Sequence, residues 1–353
     1  MAGVHLTLTD DRAVEIDALA ELLGGRVGLA GVLDRLDRRA QPSRLGRLAG
    51  RLVDEAYAWE RQDARDRRWW PQGVSSSADA DPSERVLGRR LVLVSWYAHP
   101  VGGASHGVRL TVLDLDSLGY RHVLLVVPRI DDEGRATTEP LTVHAGGIVW
   151  LGGAVHVAAT ARGLLTCHLD DVMVAGPGVE SHGHDLVLPV RSAWRAGAER
   201  GHERLRYSFV SLDRTDPGGA PVLVAGEYGR RRGATTRLAR FGVGAASSLL
   251  ATDDDGRARP TSVEDGARAR MQGAACVGGT WHATVSMGPW VPGGLAHGRP
   301  GALRLRPLAL PMGPEDLTWW PSSGRFWSVS EHPGRRWVFS WPGPAAPRRT
   351  RDG

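Results

Sequence analysis

A pattern that recurs along this chain constrains its fold more than any other sequence feature. Each copy places a small or polar pair ahead of an apolar run, and about fourteen residues later a second apolar run ends in a hydroxyl residue. The pairs include Gln72, Gly146, Gln272 and Glu315, and the matching hydroxyl residues include Thr160, Ser286 and Ser330. Self-similarity of this kind predicts a repeat architecture in which each copy contributes one supersecondary unit.

The region from residue 69 to residue 342 reads as β-structure throughout. It contains short apolar runs separated by Gly, Pro, Asp and Ser, and it has no good helical window. Such spacing is typical of all-β folds, and the in-phase copies favour a five-bladed β-propeller over a sandwich or a barrel. The third blade is the least regular, with its outer strand expected near residues 247–252. The fifth blade lacks an outer strand, and we expect the strand at residues 4–9 to supply it and close the ring.

The N-terminal region has mainly helical periodicity. After the strand at 4–9, the apolar spacing predicts helices at 12–23, 29–39 and 43–62. Ser43 is the expected N-cap of the third helix, and Leu45 and Leu48 lie on its predicted packed face. The expected organisation is an N-terminal strand and helical segment at 1–62, a charged linker at 63–68, the propeller at 69–342 and a disordered Pro/Arg tail at 343–353. The helical appendage could pack against the propeller or dock a protein partner.

The basic composition does not indicate a nucleic-acid partner. The sequence pI is 9.8 and the net charge is +5, but all 44 basic residues are Arg and none is Lys. Together with the abundance of Ala, Gly and Pro, this usage indicates G+C-rich codons rather than selection for phosphate binding. The small basic cluster at Arg231 and Arg232 is expected to be a solvated turn.

Neither membrane insertion nor export is indicated. No apolar run is long enough to span a bilayer, and residues 1–9 lack the basic and apolar regions of a signal peptide. We therefore expect a cytoplasmic protein. Cys167 and Cys276 fall in predicted strands of different copies, where they form neither a disulfide framework nor a zinc site, so both are expected to be buried free thiols.

The repeated start positions predict a ring of side chains at one mouth of the propeller channel. The ring consists of Gln72, Gly146, Gln272 and Glu315, with Asp316 one step further and Arg206 or Tyr207 in the irregular third blade. His144 and Arg270 lie two residues before their repeat positions and are expected to lean over the same mouth. An acid, two amides, a histidine and an arginine that converge on one axis could bind a polar ligand. The alternative is that they only line a hydrated channel.

Glu315 is the strongest candidate for chemistry because a carboxylate on the axis is costly unless it is compensated. Oxygen ligands of this kind suit Ca²⁺, which makes Glu315 a candidate metal ligand, and His144 is a candidate general base. Trp290, in a loop predicted at residues 287–300, is the candidate for an exposed ligand contact. His182 and His184 form a His-x-His pair that could grip a metal, although the spacing alone is a weak signal.

Other polar segments are predicted to form turns. Glu331 and His332 follow the second strand of the fifth blade, and His99 follows the second strand of the first. From the strand direction we expect all three at the mouth opposite Glu315. The sequence has no nucleophile-elbow, P-loop or dinucleotide-binding motif, so these enzyme classes are unsupported.

The repeats carry a resemblance to a group of uncharacterised actinobacterial proteins, many of them secreted. The resemblance covers residues 69–341 and is most specific at residues 313–321 and 327–334. It implies a propeller and no particular activity. More loosely, the chain is similar to lactonase-type propellers, which hold Ca²⁺ on the axis. Glu315 has a counterpart in kind there, but the Asn/Asp set of those proteins is not matched.

Three functions follow as hypotheses. The first is a propeller that binds a small polar ligand at the channel mouth. The second is a hydrolase or lactonase-like enzyme with a divalent cation near Glu315 as Lewis acid. The third is a protein-interaction scaffold that uses the helices and the Trp290 loop.

Overall fold

A computed structural model of the whole chain describes residues 3–9, 11–100, 105–216, 218–230, 234–244 and 249–344. The protein is mostly β-structure, arranged in curled sheets in which most strand pairs are antiparallel and two pairs, Gly119–Ile130 with Leu186–Ala198 and Phe209–Arg214 with Met271–Val277, are parallel. The expected basic cluster at Arg231 and Arg232 lies outside the described residues, and so does the expected disordered tail from residue 345 onwards. No helix among the described residues is both long enough and apolar enough to cross a membrane.

The N-terminal region alternates short helices with short strands. Its elements are β1 (Val4–Leu8), α1 (Ala13–Leu23), α2 (Gly28–Leu33), β2 (Arg38–Arg39), β3 (Gln41–Pro42), α3 (Arg44–Leu48), β4 (Glu55–Ala58) and α4 (Arg61–Arg65). Gly24, with φ of 80°, ends α1 in the left-handed conformation that Gly adopts without a Cβ clash. These elements add edge strands and cover to the sheets that follow.

The long third helix predicted at 43–62 is wrong. Ser43 does cap a helix, because its side chain accepts a hydrogen bond from the Gly46 N–H at 3.1 Å, but that helix ends at Leu48. Leu45 and Leu48, predicted on the packed face, are 74% and 83% exposed. Gly50 then lies so close to the Leu310 backbone that a Cβ there would be 2.6 Å away. The following residues form β4 instead of continuing the helix.

The remaining strands form consecutive antiparallel meanders. The first meander is β5 (Trp69–Ser76), β6 (Leu91–Ala98), β7 (Val108–Asp114) and β8 (Gly119–Ile130), with α5 (Ser77–Ala80) after β5 and the hairpin strand β9 (Ala136–Pro140) after β8. The second is β10 (Ile148–Leu151), β11 (Ala154–Ala159), β12 (Gly163–His168) and, after a 3-10 turn at Leu169–Asp171 and the short β13 (Met173–Val174), β14 (Leu186–Ala198).

Three further meanders follow in the chain. The third is β15 (Phe209–Arg214), β16 (Val222–Gly226), β17 (Arg237–Gly242) and, after β18 (Arg257–Ala258), β19 (Ser262–Asp265). The fourth is β20 (Met271–Val277), β21 (Thr280–Val285), β22 (Gly293–Gly298) and β23 (Arg304–Leu310). The fifth is β24 (Pro314–Trp320), β25 (Arg325–Ser330) and β26 (Trp337–Pro342), to which β4 and then β3 are added.

The first strands of the meanders, β5, β10, β15, β20 and β24, contact one another at the centre of the molecule. These strands lie so close together that two positions have no room for a Cβ, and both positions are Gly. A Cβ on Gly73 would lie 2.7 Å from the Gly147 carbonyl carbon, and one on Gly273 would lie 2.5 Å from the Asp316 Cα. The Gly that follows the polar residue in several copies of the repeat is therefore a packing requirement.

The expected closing strand is wrong. β1 pairs with β14 from Val4↔Ala198 to Leu8↔Trp194, so it extends the second meander. The strand added to the last meander is β4, which pairs with β26 through Ala58↔Trp337 and Ala56↔Phe339. The error arose because residues 55–58 were assigned to the third helix, which left β1 as the only free strand for this position.

Two other strand assignments also differ. The outer strand of the third meander is β19, not residues 247–252, which fall partly outside the described residues. The Gly/Pro-rich stretch at 287–300 contains β22, which pairs with both β21 and β23. The two Gly at 293 and 294 lie against Pro314 and Leu305, so they mark close packing rather than a loop.

The core fills the spaces between and beneath the meanders. Apolar residues of neighbouring strands form five clusters among the described residues. The largest fully buried side chains include Trp96, Trp150, Trp194, Trp281 and Trp341. Both cysteines are buried free thiols, as predicted.

Candidate functional site

A cavity of about 710 Å³ opens where the first strands of the meanders begin. We call it the mouth cavity. Its lining includes the start of each first strand and the end of each second strand. The starts are Gln72, Gly146, Ser208, Gln272 and Glu315, and the ends are Tyr97, Thr160, Tyr228, Ser286 and Glu331. Every meander thus contributes two residues to the lining, one from the start of its first strand and one from the end of its second strand.

The pairing between the first and second strands is irregular near the start of several first strands. The register between the first and second strands shifts at Pro71/Val74, at Met271/Gly273 and at Pro314/Leu317. A bulge bends its strand and re-aims side chains. Gln72, Gln272 and Glu315 each lie inside one of these shifts. The local distortion therefore recurs at the polar residues that line the cavity.

Two carboxyl groups form the centre of the site, and we call Glu315 and Glu331 the acid pair. Glu315 is 2% exposed, and its Oε1 accepts a hydrogen bond from Gln272 Nε2 at 3.0 Å. Glu331 Oε2 accepts from Gln72 Nε2 at 3.1 Å. The Glu315 and Glu331 carboxyl groups are close enough to hydrogen-bond to each other when one of them is protonated. Two amides thus orient two neighbouring carboxyl groups.

Burial governs the protonation of the acid pair. Loss of solvation, together with the negative charges of Glu331 and Asp316, raises the pKa of Glu315 well above its ordinary value. Burial also raises the pKa of Glu331 to about 7, although the Gln72 hydrogen bond and the nearby Arg336 oppose this rise. At neutral pH one carboxyl group of the pair holds its proton, and the other titrates.

The position of Glu331 and His332 corrects the sequence analysis, which expected both at the opposite mouth. Both line the mouth cavity, beside Glu315. The reason is antiparallel pairing: Pro314, at the start of β24, pairs with Ser330, at the end of β25. The residue after a second strand therefore lies beside the start of the first strand. The hydroxyl that ends each repeat copy was the signal that could have located this position.

Asp316 lies inside the protein and does not reach the cavity. It is fully buried, and its Oδ2 accepts hydrogen bonds from the Val74 N–H at 3.3 Å and the Ile148 N–H at 3.2 Å. Burial raises the pKa of this carboxyl group well above its ordinary value. Because those two N–H groups belong to β5 and β10, Asp316 ties three central strands together.

Arginines line the side of the mouth cavity formed by the third and fourth meanders. Arg206 donates to the Thr235 carbonyl oxygen at 2.8 Å and lies 3.8 Å from Glu227. Arg230 and Arg270 are exposed and form no ion pair with any described residue. The Arg270 N–H donates to the Gly229 carbonyl oxygen at 2.9 Å, so the backbone segments that carry Arg230 and Arg270 are hydrogen-bonded to each other.

An aromatic and histidine cluster forms the wall near the first meander. His144 lies at the rim, with its ring 4.5 Å from that of Tyr97. The Tyr97 hydroxyl and His99 Nε2 are hydrogen-bonded at 2.6 Å. Trp70 packs edge-on against His99 at 4.5 Å and His332 at 5.7 Å. His144 therefore reaches the cavity, and within the part of the chain that the structure describes no hydrogen bond joins it to Glu315.

Two further candidates lie outside the cavity lining. Tyr207 is fully buried, with its ring 6.1 Å from Phe241, while its neighbours Arg206 and Ser208 line the cavity. Trp290 is 79% exposed and follows the cavity-lining residues Gly288 and Pro289. The Arg335 guanidinium lies 4.2 Å above its ring. Trp290 thus stands at the outer rim, and Tyr207 belongs to the core.

The donor set does not fit a lactonase-type calcium site. Among the described residues, no group of three or more His, Cys, Asp or Glu side chains could hold a metal ion. Glu315 is engaged with Glu331 and Gln272, and Asp316 with backbone N–H groups. His182 and His184 belong to an aromatic cluster instead, stacked against His106 and packed on Trp69 respectively.

Comparisons with known proteins give fold-level likenesses at low similarity. No protein-family model matches the chain, and no curated protein matches it significantly. A gluconolactonase from Xanthomonas campestris is 14% identical, with a TM-score of 0.38 over 87% of this chain and 86% of that one. A GH43_1 enzyme from Xanthomonas citri is 11% identical, with a TM-score of 0.41 over 94% and 93%. The Dos1 propeller is 8% identical, with a TM-score of 0.31 over 82% and 74%.

These TM-scores are below 0.5. At such values neither the activity nor the substrate of a neighbour extends to this chain. The fold and the function must be argued from the chain's own residues.

Proposed function

We propose that the chain is a five-bladed β-propeller that binds a small polar ligand in the mouth cavity. Five meanders, each contributing one strand start and one strand end to the same cavity, support the blade count. In this proposal β4 is the outer strand of the fifth blade, so the N-terminal segment belongs partly to the propeller and is not a separate appendage.

The acid pair carries the functional proposal. A buried carboxyl group facing a cavity is costly, and two in contact are costlier still, so a fold that needed only packing would use apolar residues here. The pair offers one donor and several acceptor oxygens, and Gln72 and Gln272 add amide groups beside them. Such a set suits a ligand rich in hydroxyl groups. A cavity of this size accepts a sugar-sized molecule.

A hydrolytic activity is the second candidate, and the titration of the acid pair favours it. Carboxyl groups held at different protonation states near neutral pH are suited to general acid and base roles. Their direct contact is closer than the roughly 5–9 Å that separates the two carboxyl groups of glycoside hydrolases. It resembles instead a pair that shares one proton and can activate a water molecule. In this role Glu331 would accept a proton from water, and Glu315 would donate one to the leaving group.

A ligand screen with carboxyl variants tests the binding proposal. We would follow the melting temperature of the wild type, Glu315→Gln and Glu331→Gln with a panel of sugars, polyols, sugar acids and lactones. Glu139→Gln, an exposed carboxyl group on β9, is the matched control. We expect at least one compound to stabilise the wild type and the control, and to bind each acid-pair variant at least tenfold more weakly by calorimetry. A panel without effect, or unchanged binding in both variants, would contradict the proposal.

Two further measurements separate the enzymatic alternatives. A lactone from the panel that is hydrolysed by the wild type and not by Glu331→Gln would establish the hydrolytic role. The hypothesis of a hydrolase that uses a divalent cation near Glu315 is tested by elemental analysis of protein purified without chelator. Near-stoichiometric Ca²⁺ that is lost in Glu315→Gln would support it, and a metal-free active protein would exclude it.

A further inference from the structure

We propose that the ligand of the mouth cavity is a small sugar acid, with its carboxylate on Arg230 and Arg270 and its hydroxyl groups on the acid pair. This inference rests on the proposed function and narrows it to one substrate class. The observation behind it is the distribution of charge in the cavity. The acid pair and its two glutamines lie on the side of the first, fourth and fifth meanders, and the arginines on the side of the third and fourth.

Arg270 occupies a backbone conformation that is unfavourable for a residue with a Cβ, at a position where glycine would be unstrained. Arg270 adopts a φ of 64°, in the left-handed region that disfavours residues with a Cβ. Gly313 takes the equivalent place in the next meander, with a φ of 61°. The equivalence is exact in hydrogen bonding, because the Arg270 carbonyl accepts from the Ser286 N–H and the Gly313 carbonyl from the Glu331 N–H. Glycine would satisfy this backbone, yet the chain places an arginine there.

Arg230 lies beside Arg270 through the hydrogen bond between the Arg270 N–H and the Gly229 carbonyl oxygen. Neither arginine has an ion-pair partner among the described residues. By contrast, Arg206 on the same wall lies near the carboxylate of Glu227. That carboxylate also forms an ion pair with Arg237. Two arginines on neighbouring backbone segments that both line one cavity, without a carboxylate partner among the described residues, are suited to a planar anion, which guanidinium groups bind by paired N–H donors.

The acid-pair side of the cavity determines the rest of the ligand. A simple anion such as phosphate would leave the remaining oxygens and N–H groups of the acid pair, Gln72 and Gln272 without a ligand contact. A neutral sugar would leave the two arginines without one. A molecule with a carboxylate at one end and hydroxyl groups along its length satisfies both walls at once.

The experiment compares matched acids and neutral sugars by calorimetry at constant pH and salt. The pairs are glucuronate with glucose, galacturonate with galactose, and gluconate with glucitol, and inorganic phosphate is added alone. We expect at least one acid to bind ten times more tightly than its neutral counterpart and more tightly than phosphate. Arg270→Gln should remove that preference, whereas Arg304→Gln, an exposed arginine on β23, should keep it.

Arg270→Gly separates loss of binding from loss of folding. It relieves the backbone conflict, so we expect a melting temperature no lower than that of the wild type together with the same tenfold loss of acid binding. Neutral sugars that bind as tightly as their acids, with affinity still dependent on Glu331, would overturn this inference and leave the proposed function standing. Phosphate that binds as tightly as every acid would also overturn it. Absence of binding by both acids and neutral sugars would contradict the proposed function itself.

Discussion

At the scale of single residues, the acid pair dominates the behaviour of the site. Burial raises the pKa of Glu331 to about 7, above the ordinary value of 4.5. The native state therefore binds a proton more tightly than the unfolded chain does. By linkage, the free energy of unfolding falls as the pH rises through the window between these two values, and it levels off above the folded pKa.

The corresponding prediction concerns pH-dependent stability. Between pH 6 and pH 8 the Glu331 contribution should reduce the free energy of unfolding by about 1.4 kcal/mol, since one pKa unit corresponds to that amount. Glu331→Gln should lose this part of the pH dependence and become more stable than the wild type at pH 8. Urea titrations of both proteins at the two pH values measure it. Parallel pH profiles in wild type and variant would show that Glu331 is not the titrating group.

The sequence could predict a residue of the site only where that residue held a recurring position in the repeat. Gln72, Gln272 and Glu315 were found because they start copies of one pattern, and all three line the mouth cavity. Asp316 and Tyr207 carry no such distinction in sequence. A one-residue step along a strand or a bulge decides whether a side chain faces the cavity or the core.

At the scale of elements, the segment that carries Trp290 connects β21 to β22 along the rim of the cavity. Gly288 and Pro289 line the cavity, and Trp290 extends beyond it with one face covered by Arg335. An exposed indole with a free face can stack on a sugar ring that projects from the cavity. This placement suits a second unit of an extended ligand rather than the unit held by the acid pair.

Trp290→Ala should therefore discriminate by ligand length. We expect it to weaken binding of a disaccharide by about 1 kcal/mol, in the range of aromatic contacts, while binding of the monosaccharide changes little. Because Trp290 is largely exposed, the free energy of unfolding should change by less than about 0.5 kcal/mol. Calorimetry with both ligands and a urea titration test this. Equal losses for the two ligands would place Trp290 at the inner site instead.

Element assignment failed where local periodicity and tertiary packing disagreed. Residues 43–62 have apolar spacing that fits a helix, yet Gly46 and Gly50 lie against Trp337 and Leu310, where a Cβ would clash. Close packing of this segment on β23 and β26 outweighs its helical periodicity. Information of this kind depends on residues more than 250 positions away, so no local window of sequence contains it.

At the scale of the whole molecule, strands from the N-terminal region and from the last meander meet in one sheet. β4, from the N-terminal region, pairs with β26, the last strand among the described residues, and β3 pairs with β4. Without β4, the buried strand β26 would become an unpaired edge and expose Trp337 and Phe339. β1 has a different place, between β14 of the second meander and the short strand β18, and its Leu6 pairs with both Ala196 and Ala258.

Two truncations test this closure. Removal of residues 1–9 takes away β1 alone, and we expect a lower melting temperature with unfolding that is still cooperative. Removal of residues 1–60 also takes away β4, and we expect loss of the cooperative transition in near-ultraviolet circular dichroism, together with aggregation in gel filtration. The physical reason is that, in the proposed propeller, β4 would close the ring of sheets, so every meander would depend on that contact. A 1–60 truncation that melts cooperatively near the full-length temperature would instead make the N-terminal segment a separable appendage, and a protein-docking role would then become the better account of it.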